Sequence, residues 1–143
     1  MTTYESDIKT ISSNEEVVFG ILSDLNNLKK LQENPALADK VKDIQFDTDS
    51  CKFSVDGFGK VGFRIIEREP FKTIKFVSEN APVEVNVWIQ LKQVAENDTR
   101  MKLTLKADLP AMIKMMVDKK LKEGINSVAD LLAKTLSTNS GQF

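Results

Sequence analysis

The 143 residues include no histidine and a single cysteine, Cys51. Ser-His-Asp and Cys-His nucleophile pairs both need an imidazole, and the usual zinc sites draw on histidine and clustered cysteine. Composition therefore excludes those chemistries. Three short segments resemble known motifs. Gly57-Phe58-Gly59-Lys60-Val61-Gly62 has the spacing G-x-G-x-x-G. In a dinucleotide site those glycines open a helix whose N-terminus receives a pyrophosphate. Here Phe63 to Ile66 continues as a strand, so the segment reads as a hairpin turn. Asp47-Thr48-Asp49-Ser50 begins like a calcium loop, yet Lys52 stands where that loop needs glycine and Phe58 where it needs its closing glutamate. A turn closed by an aspartate side chain accounts for it. Asn97-Asp98-Thr99 is a glycosylation sequon only in a secreted chain. Cys51 lies on the apolar side of its strand and reads as a small buried hydrophobe rather than a nucleophile. No metal, no cofactor and no catalytic residue is assigned, and the balance leans away from an enzyme.

Composition narrows the partners. A formal net charge of −1 and a pI near 5.6 argue against nucleic acid, whose binders need a basic surface to displace counterions. Uninterrupted apolar runs reach only two to three residues, against the ~20 of a membrane-spanning helix, so stable insertion is not expected. Met1 to Thr10 carries Glu5, Asp7 and Lys9 with no apolar centre, unlike a signal peptide. With one cysteine no internal disulfide can form, and the cytoplasm is the expected compartment. The length suits one domain spanning 1–143, with 137–143 as a frayed polar tail.

The elements that must position any site follow from periodicity. Thr3 to Ile11 alternates, with Tyr4, Ser6, Ile8 and Thr10 on one side, as a half-buried strand does. Ser13 as cap and Glu16 three residues later form a capping box for a helix with stripe Val17, Val18, Ile21, Leu22, Leu25, Leu28 and Leu31. Asn34-Pro35 ends it and starts a short second helix to about Lys40. From Val41 the period becomes two, and six strands follow, separated by turns every 8–14 residues, as in an antiparallel meander. Asp108-Leu109-Pro110 then opens a long helix to about Leu136, with stripe Ile113, Val117, Leu121, Ile125, Val128, Leu132 and Leu136. Gly124 inside it costs ~1 kcal/mol against alanine, which a close approach to another element or a bend would justify.

This order resembles the START-like (SRPBCC) superfamily, the helix-grip fold shared with the birch-pollen allergen and the polyketide cyclase/dehydrase-like proteins. The carriers are the opening strand, the capped helix from Asn14 to Leu31, the Asn34-Pro35 break, the six-strand meander and the terminal helix from Pro110. The stretch Leu28-Lys29-Lys30-Leu31 has no tryptophan, unlike the chaperone-activator branch. The resemblance implies an α+β fold in which a curved antiparallel sheet of about seven strands wraps a long C-terminal helix, with two short helices after the first strand. It also implies an apolar ligand, a lipid or polyketide-like compound, held between sheet and terminal helix.

By alternation that space is lined by Phe53, Phe63, Phe76, Val85, Val87, Ile89 and Leu103 from the sheet, with Tyr4 from the first strand. Met112, Met116, Val117 and Leu121 face them from the helix. Binding would come from apolar area, with methionines adapting to varied shapes. Tyr4, Ser6, Thr10, Thr73 and Cys51 are the only polar groups at hand for a cyclase or dehydratase alternative. A third reading is an interaction or homodimerising module with a filled core, so the chain is expected as monomer or homodimer. Lys114, Lys119, Lys120 and Lys122 line the helix, but Asp118 and Glu123 interleave with them, so a solvated face is expected there.

Overall fold

The structure is a computed structural model that describes residues 1–33, 42–55, 59–81 and 83–139. β1 (Thr2–Glu5) and β2 (Lys9–Ile11) are followed by α1 (Glu15–Leu22) and a 3-10 segment, Leu25–Glu33. Then come β3 (Lys42–Phe46), β4 (Ser50–Val55), β5 (Gly59–Glu69), β6 (Thr73–Glu79), β7 (Val85–Ala95) and β8 (Asp98–Ala107), and the chain closes on α2 (Ala111–Asn139). The eight strands form one antiparallel sheet in the order β1-β8-β7-β6-β5-β4-β3, with β2 pairing β8 beyond β1. This is the expected α+β helix-grip architecture.

Four local expectations change. The first strand is two strands. Glu5 pairs with Thr104 and Lys9 with Met101, so four residue steps on one side match three on the other. The extra residue is a bulge that flips the pleat: Tyr4 and Ser6 are buried, Ile8 is 65% exposed, and Ile11 is fully buried instead of facing out. The helix cap is Asn14, whose Oδ1 accepts from Val17 N at 2.8 Å, and not Ser13, which is buried with its carbonyl accepting from Thr99 Oγ1 at 2.7 Å. The helix from Asn14 is α up to Leu22 and then tightens to 3-10 after Ser23-Asp24. The expected helix from Pro35 to Lys40 lies outside the described residues. At the other terminus α2 continues past Leu136 to Asn139.

The turns obey their chemistry. Asp47 Oδ1 accepts from the backbone of Asp49 and Ser50 at 2.9 and 2.7 Å, and Ser50 Oγ donates to Oδ2 at 2.8 Å. These bonds, Ser50's hydroxyl foremost, hold the Asp47 carboxyl below its ordinary pKa. The turn expected at the glycine motif falls on residues 56–58, outside the described residues, and Gly59 opens β5. A Cβ on Gly62 would sit 3.0 Å from the Cys51 carbonyl oxygen of the neighbouring strand, so strand packing explains that glycine. No such contact explains Gly124, around which a Cβ would meet nothing within 4 Å.

Two devices seat α1 on the sheet. Glu15 N donates to Gln93 Oε1 at 2.9 Å, and Gln93 N donates back to Glu15 Oε2 at 3.2 Å. Phe19 meets Phe71 edge-on at 5.9 Å. Arg68 also donates to the Ser23 carbonyl and to Asp49, joining the end of α1 to β5 and the β3–β4 turn. The resulting core gathers Val18, Leu22 and Leu25 with Ile74, Phe76, Ile89, Met101 and Leu103 from the sheet. It is closed by Ile125, Ala129, Leu132, Ala133 and Leu136 of α2. The two alanines let the helix approach closely. On the outer face, Trp88 lies between Lys75 and Lys106, whose Nζ atoms are 5.2 and 5.6 Å from the ring centre.

Candidate ligand groove

The second half of α2 is packed into the core; the first half is held mainly by its edge. Four polar ties fasten α2 along β1, β2 and the residues after them. Tyr4 Oη donates to Asp118 Oδ1 at 2.6 Å, Asp7 N donates to Asn126 Oδ1 at 2.7 Å, Lys9 Nζ lies 3.9 Å from Asp130, and Ser12 N donates to Ser137 Oγ at 3.0 Å. The spacing is consistent: Asp118 to Ser137 rises ~28 Å along a helix, and Tyr4 to Ser12 covers ~26 Å of extended chain. The helix is thus stapled along one margin of the sheet, and among the described residues its other margin carries no such tie.

Burial along the concave face follows that division. Ile65, Ile74, Phe76, Ile89, Leu91, Met101 and Leu103 are buried. Towards β4 and the start of β5, Cys51, Phe53 and Phe63 are only half-buried, as are Val85, Val87 and Leu105 in the central strands and Leu109 and Leu121 before and on α2. Phe53 and Phe63 stack at 6.1 Å. Cys51, Phe63, Val87, Leu105, Leu109 and Leu121 pack against the core, so these residues make a half-buried apolar margin, a shallow trough, continuous with it.

Of the residues expected to line the ligand space, Phe53, Phe63, Val85, Val87 and Leu121 share this half-buried end, with the buried Val117 on the helix above it. Phe76, Ile89 and Leu103 belong to the closed core, and so does Tyr4 at 4% exposure. Met112 and Met116 are not brought there. They stand on the outer face of α2, 77% and 67% exposed, because the inward phase runs through Ile113, Val117 and Leu121, and each methionine is one helical step, ~100°, away from it.

The polar groups near the trough are largely engaged. Tyr4 is raised to about 12, first by burial and then by its bond to Asp118 and that carboxylate's charge. Ser6 Oγ accepts from Leu103 N at 2.9 Å and stitches the bulge. Thr10 is exposed, and Thr73 pairs with Gln90 in the row of outward residues. Burial pushes the Cys51 thiol up to about 11, which keeps it protonated and unreactive. Sequence reasoning passed over Ser78, which alternates inward after Ile74 and Phe76 and whose Oγ accepts from Val85 N at 2.9 Å. It also passed over the edge ties of α2. Their signal is Asp118, Lys122, Asn126, Asp130 and Lys134, one polar residue every fourth position. A separate surface cleft of about 320 Å³ lies between β2 and α2, lined by Lys9, Thr10, Asp130, Ala133, Lys134 and Ser137. Its base is the ion pairing of Asp130 with Lys9 and Lys134. Among the described residues no cluster of three metal-ligating side chains occurs, and no helix is long and apolar enough to cross a membrane.

No protein-family model and no curated protein matches the chain. Solved structures do. Norcoclaurine synthase from Thalictrum flavum, in complex with dopamine and hydroxybenzaldehyde, superposes with a TM-score of 0.71 at 12% identity, covering 94% of this chain and 87% of that one. The Aha1 dimer from Colwellia psychrerythraea gives 0.62 at 20% identity over 99% of this chain and 100% of the other. An HSP90 activator from Plasmodium falciparum gives 0.59 at 22% identity over 87% of each. At these identities the likeness is one of fold, and it spans nearly the whole molecule: the chain has the helix-grip fold that these structures share.

Proposed function

We propose that this chain is a binding module that takes a hydrophobic small molecule, a lipid or polyketide-like compound, into the trough between its sheet and the first half of α2. One observation carries the reading. A single concave face is fully buried where α1 and the second half of α2 cover it, and half-buried at Phe53, Phe63, Val85, Val87, Leu105 and Leu121, where the cover is partial. Completing that burial with a ligand contributes about 25 cal/mol per Å² of apolar surface. The polar groups around it hold strands and helix together, which favours binding over catalysis. In the same reading the chain works in the cytoplasm, supported by its single cysteine, as a monomer or homodimer with a trough built from one copy. Native mass spectrometry of freshly purified protein tests it. The expected result is an added mass that organic solvent extracts, lost in Phe63→Asp and kept in Ile66→Asp, which changes an outer residue 51% exposed. No added mass, together with no saturable uptake of a fluorescent fatty acid, overturns it.

A further inference from the structure

The first turns of α2 carry apolar surface on the side turned away from the sheet. Met112, Met115 and Met116 are 77%, 85% and 67% exposed. At ~100° per residue they share a helix face with Lys119, Lys120 and Glu123, opposite the inward Val117 and Leu121. Met1 is 73% exposed at the same end of the molecule, because its neighbour Thr2 pairs with Ala107 just before the helix. Lys122 flanks the face, whereas Lys114, ~200° round from Met112, lies on the side of Asp118. Of the two interleaved carboxylates, Asp118 is drawn to the β1 margin by Tyr4 and Lys122, and Glu123 is 4.0 Å from Lys119. Lys119, Lys120 and Lys122 with the single carboxylate Glu123 thus border the methionine cluster, in a chain whose net charge is −1.

We propose that this face docks the chain on an anionic lipid surface, with the methionines entering the headgroup boundary and the lysines meeting lipid phosphates and carboxylates. Charge selects this occupant. Three lysines against one carboxylate leave the face net positive, and a second copy meeting it about a two-fold axis would bring the same excess of positive charge. An anionic bilayer offers apolar depth for flexible thioethers and negative charge for the flanking ammonium groups, whose stems lie along the apolar surface. The face lies outside the trough, so the inference holds whether or not a ligand occupies it.

Flotation with phosphatidylcholine vesicles, with and without phosphatidylserine, tests the proposal. Binding is expected only to vesicles containing phosphatidylserine. It weakens as salt rises from about 0.1 to about 1 M and the screening length falls from about 10 to about 3 Å. The triple variant Met112→Ser/Met115→Ser/Met116→Ser and the double variant Lys119→Ala/Lys120→Ala each lose roughly tenfold or more in affinity. Lys92→Ala, exposed on β7, retains it. All these positions are solvent-facing, and circular dichroism and thermal melts confirm that the variants fold. Equal binding to neutral and anionic vesicles, no binding to either, or binding unchanged in the triple variant overturns the proposal. So does a concentration-dependent dimer that the triple variant abolishes, which would make the face a self-interface, or a stable protein complex formed through these methionines without any lipid affinity.

Discussion

Tyr4 is the chain's one tyrosine, so its titration can be read directly. Its hydroxyl donates to Asp118, and burial followed by that bond moves its pKa from 10.0 to about 12. Asp118 moves the other way, lowered first by Tyr4 and then by Lys122. The signs give two separate limbs. Tyr4 favours its protonated form in the fold, so its contribution is complete below pH ~10 and is lost as pH rises through its folded value. Asp118 favours its charged form, so its contribution is present above the ordinary carboxylate range and is lost as pH falls through its lowered value. Ultraviolet titration of the native chain should place the tyrosinate transition near pH 12 and return it to about 10 in urea. Tyr4→Phe should cost about 1 kcal/mol in urea unfolding at neutral pH and remove the alkaline limb. A native transition at 10 would mean the tie to α2 does not form. Alternation placed Tyr4 inward, but its partner was hidden, because strand periodicity says nothing about which helix face comes to rest against it.

β1 and β2 show where pattern reading stops at the level of the element. Unbroken alternation over β7, from Val85 through Leu91, made its pleat legible, and β6 and β8 follow the same rule. A single inserted residue defeats the method, since every side chain beyond it changes face. Unbroken alternation puts Ile8 inward and Ile11, three residues on, outward, the reverse of their burial. The methionines of α2 failed for a related reason. Seven residues of its first three turns are hydrophobic, so the stripe has two competing phases, and only contact with the sheet chooses Ile113, Val117 and Leu121. The bulge makes a sharp prediction. Ile11→Ala, at 0% exposure, should destabilise by about 2–5 kcal/mol, and Ile8→Ala, at 65%, should stay within about 0.5 kcal/mol of the parent. Equal costs in denaturant titration would indicate a continuous strand.

Across the whole molecule, stability should be polarised along α2. Ile11, Leu22, Ile74, Met101 and Leu136, all essentially without exposure, meet the helix's second half or lie in the layer beneath it. The first half rests on Val117, the half-buried Ile113 and Leu121, and the Tyr4–Asp118 bond. Local opening free energies range from near zero to the global value according to such burial. Amides of residues 125–136 should therefore exchange with solvent only through global unfolding, and those of 115–121 substantially faster, although all are hydrogen-bonded in one continuous helix. A ligand in the trough meets the inner side of the faster half. It should slow 115–121 selectively, by up to about 2.7 kcal/mol of added protection at one hundred times its dissociation constant. Vesicles docked on the outer side should slow the same amides without competing with that ligand. Uniform protection along α2 in the ligand-free chain would show that the helix opens as one unit. The trough would then be an ordinary margin of the core, with no entrance that the first half of the helix controls.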